Sequence, residues 1–423
     1  VPKLNKIGAA LPRRLRGTPT PGDAAGALLA RLRIVLTVFF ALDGFVFAGW
    51  VVRIPDIKDQ TGASPSALGL ALLGVSAGGV ATMVLTGGLI RRYGAHVVTV
   101  GTAVLLCVGV MLPPLTRSAL ALGLVLLVFG AAFGSINVAM NSAAVDLVAA
   151  MRRPILPSFH AAFSLGGMLG AGLGALVAGH LSPTRHLLLL ALLGLAVTAF
   201  AGRALLAIPA PKPPHAAAGA GEPAAAPGAE GSRTALPAGR VRLLVGVLGL
   251  VALCTAYGEG AMADWSALHL KESLDAGPGL AAAGYSVFAL AMTAGRLSGT
   301  VLLLRLGQNR ALVAGGATAC AGMLLGSFSP FVWGALAGFA LTGLGLANIF
   351  PIAIGRAGEL AGPHGVAAAS TLGYGGMLLG PPAIGFLADW FSLRAALSTV
   401  ALLAGAASVI AYAMQYATRP RPS

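Results

Sequence analysis

Residues 36–56 read LTVFFALDGFVFAGWVVRIPD, an apolar run broken near its middle by one acid, Asp43, and closed by Trp50, Arg53 and Pro55. The run is long enough to cross a bilayer core, which takes roughly 20 residues. An acid at that depth costs about 2.5–3.5 kcal/mol on insertion scales, so it is kept where it faces other protein or a wet cavity. The pattern returns two hundred residues on: Asp43-Gly44 followed by Trp50 becomes Glu259-Gly260 followed by Trp265. The chain reads as two related halves, each bringing an acid-Gly-Trp helix to one central path.

Composition agrees. The 423 residues are 57% hydrophobic and 10% charged, with a mean hydropathy of +0.86, against about 25% charged in soluble domains. The net charge of +15 would suggest nucleic acid in a soluble protein. Here the cations cluster in alternate loops, which is a topology signal, so no nucleic-acid partner is expected. Cys107, Cys254 and Cys320 lie in separate apolar segments without a CxxC pair, and the histidines are scattered. Neither a metal site nor a disulfide framework is expected.

Twelve apolar segments follow one another, near 32–54, 66–90, 95–115, 118–145, 157–181, 185–208, 241–268, 277–304, 310–328, 331–355, 365–389 and 393–416. In lipid the backbone must bond to itself, so they are helices. With the N-terminus inside, 21 of the Lys and Arg residues fall on the inner side and 6 on the outer. This predicts that both termini are cytoplasmic. Residues 209–240 are low in complexity and rich in Pro and Ala. They divide the chain into a tail (1–31), a six-helix bundle (32–208), a flexible linker (209–240), a second bundle (241–417) and a short tail (418–423).

The halves also match in detail. Arg92-Tyr93-Gly94 pairs with Arg305-Leu306-Gly307, Asn137 with Asn348, and Gly166-Gly167-Met168-Leu169 with Gly375-Gly376-Met377-Leu378. The four correspondences, with the acid-Gly-Trp pair, keep one order and nearly one separation.

These residues resemble the major facilitator superfamily over about 30–418. The best local mark is Gly87-Gly88-Leu89-Ile90-Arg91-Arg92-Tyr93-Gly94, similar to the family's G-x-L-x-D-R-x-G loop between helices two and three. WVVRIPDIK (50–58), SFHAAFSLGG (158–167), EGAMADWS (259–266) and LGYGGMLLGPPAIGF (372–386) further resemble a bacterial branch near the fucose permeases. The resemblance implies a bacterial inner-membrane location, an all-α membrane fold of two six-helix bundles, a central substrate cavity and alternating access. It assigns Gly88, Arg92 and Gly94 to gating. Arg91 departs from the family loop, which carries Asp there, and span four carries neither an acid nor an Arg at its centre.

Asp43, Phe47 and Trp50 stand at i, i+4 and i+7 and share a helix face. They form either a cavity stripe or a packing seam. Burial changes how readily a carboxylate holds a proton, so Asp43 and its counterpart Glu259 are the candidates for proton coupling. Trp265 and Glu259 do not share a face, so the symmetry is imperfect. Asp264 lies nearer the outside and reads as an outer gate with Lys271 as partner. Asn137, Asn141 and Asn348 offer donors and acceptors to a polar solute, or serve as interhelical glue. Arg296 either neutralises an acid of span seven or snorkels inward. His160 is a proton relay or a satisfied interfacial residue. Gly166, Gly170 and Gly174 permit close helix approach. Trp333 and Trp390 read as interface anchors.

An enzyme is not expected. Gly74-Val75-Ser76-Ala77-Gly78 matches G-x-S-x-G, but that motif needs a strand–turn–helix setting and here lies inside an apolar span. There is no Walker loop and no repeated filter sequence. The expected function is secondary active transport of a small polar or amphipathic solute, with no cofactor and a proton gradient as the energy source. An exporter of antimicrobial compounds or secondary metabolites is the alternative. Membrane lipids are the expected surroundings, and a cavity inside one chain makes a monomer sufficient.

Overall fold

The computed structural model describes residues 21–153, 155–211 and 237–417. Residues 1–20 of the expected first tail, the last tail and most of the linker lie outside the described residues, whereas 21–31, expected as tail, already belong to the first helix. Among them every regular element is helical: α1 (Pro21–Val51), α2 (Ile54–Thr61), α3 (Pro65–Tyr93), α4 (Ala95–Gly109), α5 (Ala119–Met151), α6 (Leu156–Val177), α7 (Pro183–Leu206), α8 (Ala238–Leu274), α9 (Pro278–Phe328), α10 (Val332–Leu346), α11 (Ile349–Trp390) and α12 (Leu393–Ala417). Two of these hold more than one pass: α9 turns back at Gly307, and α11 at Ala361 and Gly362. Eleven stretches are long and apolar enough to cross a membrane, and the arm of α11 after Gly362 makes the twelfth pass. We name the face where α1 begins and α12 ends the terminal face, and the opposite one the far face.

Local chemistry sets the ends. Ser64, Ser118 and Ser182 cap α3, α5 and α7, each accepting a backbone N–H from Ala67, Ala121 and Arg185, which satisfies an orphan donor of the first turn. Pro65 and Pro183 follow two of these caps, where the missing N–H costs nothing. Lipid explains the outside: Leu304 is 83% and Phe200 80% exposed, and such surfaces are stable only against acyl chains.

The duplication expected from short motifs is present in the backbone. Gly94 joins α3 to α4 at φ 82, ψ 153, and Gly307 joins the two arms of α9 at φ 73, ψ 164. A Cβ at Gly130 would strike the backbone of Val75, and one at Gly343 the carbonyl of Phe288. These pairs are separated in sequence as Gly94 and Gly307 are. Accordingly α1 packs on α6 and α3 on α5, while α8 packs on α11 and α9 on α10. Gly44 and Gly166 let α1 and α6 touch backbone to backbone, and Gly376 does the same between α11 and α8.

The conformation at Gly94 and Gly307 is almost confined to glycine, while nothing stands within 4 Å of a Cβ at either position. Gly94→Ala and Gly307→Ala should therefore each lose about 1–3 kcal/mol through backbone strain alone. Gly101→Ala, helical and equally open, should lose nothing. Thermal unfolding in detergent compares the three. Equal midpoints would contradict the strain argument.

Candidate functional site

The two sets of six passes are joined at the far face. Lys58 of α2 pairs with Glu272 at the end of α8 at 2.5 Å, and Lys271 with Asp59. The Ser66 amide donates to Asp389 at 2.9 Å. Deeper in, Ser76 donates to the Met377 carbonyl at 3.4 Å, and Gly69 and Gly385 rest on the backbone of Pro381 and Pro65. A small apolar cluster of Ala48, Val52, Ala171 and Ala282, with Tyr285 against it, closes the seam between α1, α6 and α9. These bonds between the halves all lie in the far half of the molecule. Towards the terminal face Glu259, Arg296 and His160 are open to solvent rather than packed against the other half, which marks a gap.

On one side of the gap, α1 and α5 meet in a ladder. Asn137 Nδ2 donates to Asp43 Oδ2 at 2.8 Å, Phe47 stacks on Phe133 with centroids 4.7 Å apart, and Trp50 lies 6.2 Å from Phe129. The stripe at 43, 47 and 50 thus meets one at 137, 133 and 129, as two antiparallel helix faces must. Asp43 is fully buried, and its second oxygen, Oδ1, has no partner. Asn141 donates to the Asn137 carbonyl at 2.8 Å and stays on the same face.

On the other side, Arg296 Nη2 donates to both carboxylate oxygens of Glu259, each at 3.2 Å. Of the two readings of Arg296, neutralising an acid is therefore the observed one. The pair is open to solvent, with 41% of the Arg296 and 27% of the Glu259 side chain exposed. Asn348 stands where the tenth pass breaks between α10 and α11. Its amide donates to the Gly295 carbonyl at 2.8 Å. The duplicated amides thus do different work: Asn137 holds an acid, and Asn348 closes a helix break against a neighbour. Arg296, Gly299, Gln308, Asn348, Pro351 and Ile352 line a cavity of about 330 Å³. His160 of α6 is exposed and edge-on to Phe40 at 5.6 Å.

The profile of the Major Facilitator Superfamily matches residues 34–374. The chain belongs to that superfamily. It is 35% identical over 368 residues to an uncharacterized MFS-type transporter of Yersinia pestis, covering 86% of this chain and 91% of the relative. It is 32% identical over 402 residues to an uncharacterized transporter, y4wD, of Sinorhizobium fredii, covering 93% and 97%. A bacterial homologue of the human lysosomal transporter Spinster has the same fold, with a TM-score of 0.70 at 13% identity over 94% of this chain and 99% of that one. The protein is a multi-pass membrane transporter.

Other expected site residues of this superfamily member stand apart from the gap. Trp50 and Trp265 are 1% and 0% exposed, packed among helices of their own halves, whereas Trp333 and Trp390 are 70% and 71% exposed. Asp264 is half-buried and has no hydrogen-bond partner among the described residues. Its expected partner, Lys271, pairs with Asp59 instead. Seven residues along a helix span about 10 Å, so that bond would need both side chains stretched along the axis. Gly88, Arg92 and Gly94 lie at the terminal end of α3; Arg92 covers the Tyr93 ring at 5.3 Å, and Gly94 makes the turn. Gly74 and Gly78 of the G-x-S-x-G stretch seat α3 against the backbone of α5. That is a packing role in a helix, with no strand to present Ser76.

Sequence reasoning counted Arg53 only as an outer cation. In the structure it is fully buried. Its Nε donates to His186 Nδ1 at 2.9 Å, Nη1 to Asp56 at 2.9 Å and to the Ala178 carbonyl at 3.3 Å, and Nη2 to the Leu181 carbonyl at 3.0 Å. A cation here satisfies carbonyls left over at the end of α6. The Arg53–Asp56 spacing of three was the available signal; the carbonyls, over a hundred residues away, left none. Arg53→Met should cost roughly 3 kcal/mol, as loss of one partner of a buried pair does, and Arg53→Lys should not rescue it, lacking the planar fork. Unfolding midpoints in detergent test both; a wild-type midpoint for Arg53→Lys would refute the fork argument.

Proposed function

We propose that this protein carries a small polar or amphipathic solute by alternating access, driven by protons through Asp43 or Glu259. The observation that carries the reading is where the halves are joined: their side-chain bonds lie at the far face, while deeper in Glu259 and Arg296 are open to solvent and Asp43 is buried behind Asn137. The solute occupies the space between Asn137 and Asn141 on one side and Glu259, Arg296 and Asn348 on the other. Asp43, with one oxygen held by Asn137 and the other unpartnered, is the place for a transported proton. The terminal face is the cytoplasmic one in a bacterial inner membrane, as the excess of Lys and Arg in its loops supports, and a single chain suffices for the cycle.

The test is a deletion strain profiled for growth on single carbon and nitrogen sources and for sensitivity to antimicrobials, followed by flux in proteoliposomes. A lost growth substrate makes the protein an importer. A gained sensitivity makes it an exporter. No flux of any compound so identified, in vesicles holding folded protein, would reject the carrier reading in favour of a sensor.

A further inference from the structure

The two ion pairs across the far face share one origin. Lys58-Asp59 and Lys271-Glu272 are separated by the same stretch of sequence as Gly94 and Gly307, so they are equivalent positions of the two halves. Each half thus presents a Lys-acid dipeptide at the same place. Lys58 takes the acid of the other half, Glu272, and Lys271 takes the acid of the first, Asp59. Such reciprocity marks an isologous contact, where i meets j and j meets i about a two-fold axis.

We infer that these four residues are a self-complementary electrostatic clasp that sets how often the far face opens. The inference rests on the alternating-access reading. Isolated surface pairs contribute little; the Lys58 side chain is 13% exposed and Glu272 33%, which limits screening of that pair, while Lys271 and Asp59 at 29% and 57% are more open to it. Like the Ser66–Asp389 bond, both pairs join the halves at the far face, so neither half can swing away at this end without parting both. The ion pairs Arg53–Asp56 and Arg296–Glu259, by contrast, each lie within one half. The clasp therefore biases the cycle towards the far-closed state, with the solute gap left open on the terminal side.

The design allows a test that never changes net charge. Swapping one dipeptide (Lys58→Glu with Asp59→Lys) sets like charges against each other in both pairs. Adding the second swap (Lys271→Glu with Glu272→Lys) restores both in reversed polarity. Spin labels at Arg185→Cys and Phe391→Cys, both exposed at the far face, report its opening in full-length protein in nanodiscs, with Cys320→Ala as background. The single swap should raise the far-open population about tenfold, the scale of two pairs turned from attraction to repulsion, and high salt should lessen the effect. The double swap should return the wild-type distribution. If the wild type samples two distances whose ratio ignores the single swap, or if the double swap fails to restore it, the clasp is wrong while alternating access stands. One unvarying distance in every variant would overturn both.

Discussion

Asp43→Asn is expected to abolish proton-driven accumulation of the solute while leaving exchange of solute across the membrane intact. The side chains are nearly the same size, and the new amide can still accept from Asn137 Nδ2, which now bonds Asp43 Oδ2 at 2.8 Å. The ladder of Phe47 on Phe133 and Trp50 against Phe129 is untouched, so folding should be unchanged. What disappears is a group that can gain and lose a proton, because an amide does neither at physiological pH. In proteoliposomes with a pH-sensitive dye inside, solute-driven proton movement should fall to the leak of empty vesicles. Counterflow of labelled solute should continue. Accumulation at the wild-type level would eliminate Asp43 as the proton carrier and leave Glu259. The same pair of assays on Glu259→Gln then decides, with the difference that this variant also frees Arg296 from its partner.

The second large effect concerns the far face. Ser66→Cys with Asp389→Cys sets thiols on two residues whose backbone amide and carboxylate now meet at 2.9 Å, close enough for a short, reducible bis-thiol linker. The native Cys107 and Cys254 are buried and Cys320 half-buried, so they do not compete at this surface. Cross-linking should stop transport altogether, because the sealed end must part once in every cycle. Reduction should restore it, and each single-cysteine variant should transport normally. Complete cross-linking with undiminished flux would mean that the far face need not open, and alternating access would be lost as a description.

Several things were legible in the chain before any helix was placed. The apolar segments, the scarcity of charge within them and the requirement that backbone in lipid bond to itself leave only helices. The duplication was legible because copies keep their order: Gly94 and Gly307 match as letters and again as backbone conformations. Asp43 and Glu259 stood out because carboxylates at such depth are costly, and both occupy the helices that face the gap. Periodicity also put Asp43, Phe47 and Trp50 on one face, though it could not say what that face met.

Partners were decided by the tertiary structure. A helix sequence gives the direction of a side chain around its own axis, but not the rotation and height of the neighbour. For that reason Asp264 seemed to await Lys271, whereas Lys271 reaches across to Asp59 in the other half. Arg296 had two readings until its distance to Glu259 was known. Trp50 and Trp265, readable as cavity residues, are buried within their bundles, and Arg53 became a buried anchor only when the carbonyls at the end of α6 were brought to it. The sequence alone settled that this is a duplicated set of membrane helices with acids inside. Which of those acids is paired, which face is shut and what holds it shut came from packing, since these depend on contacts between residues far apart in the chain.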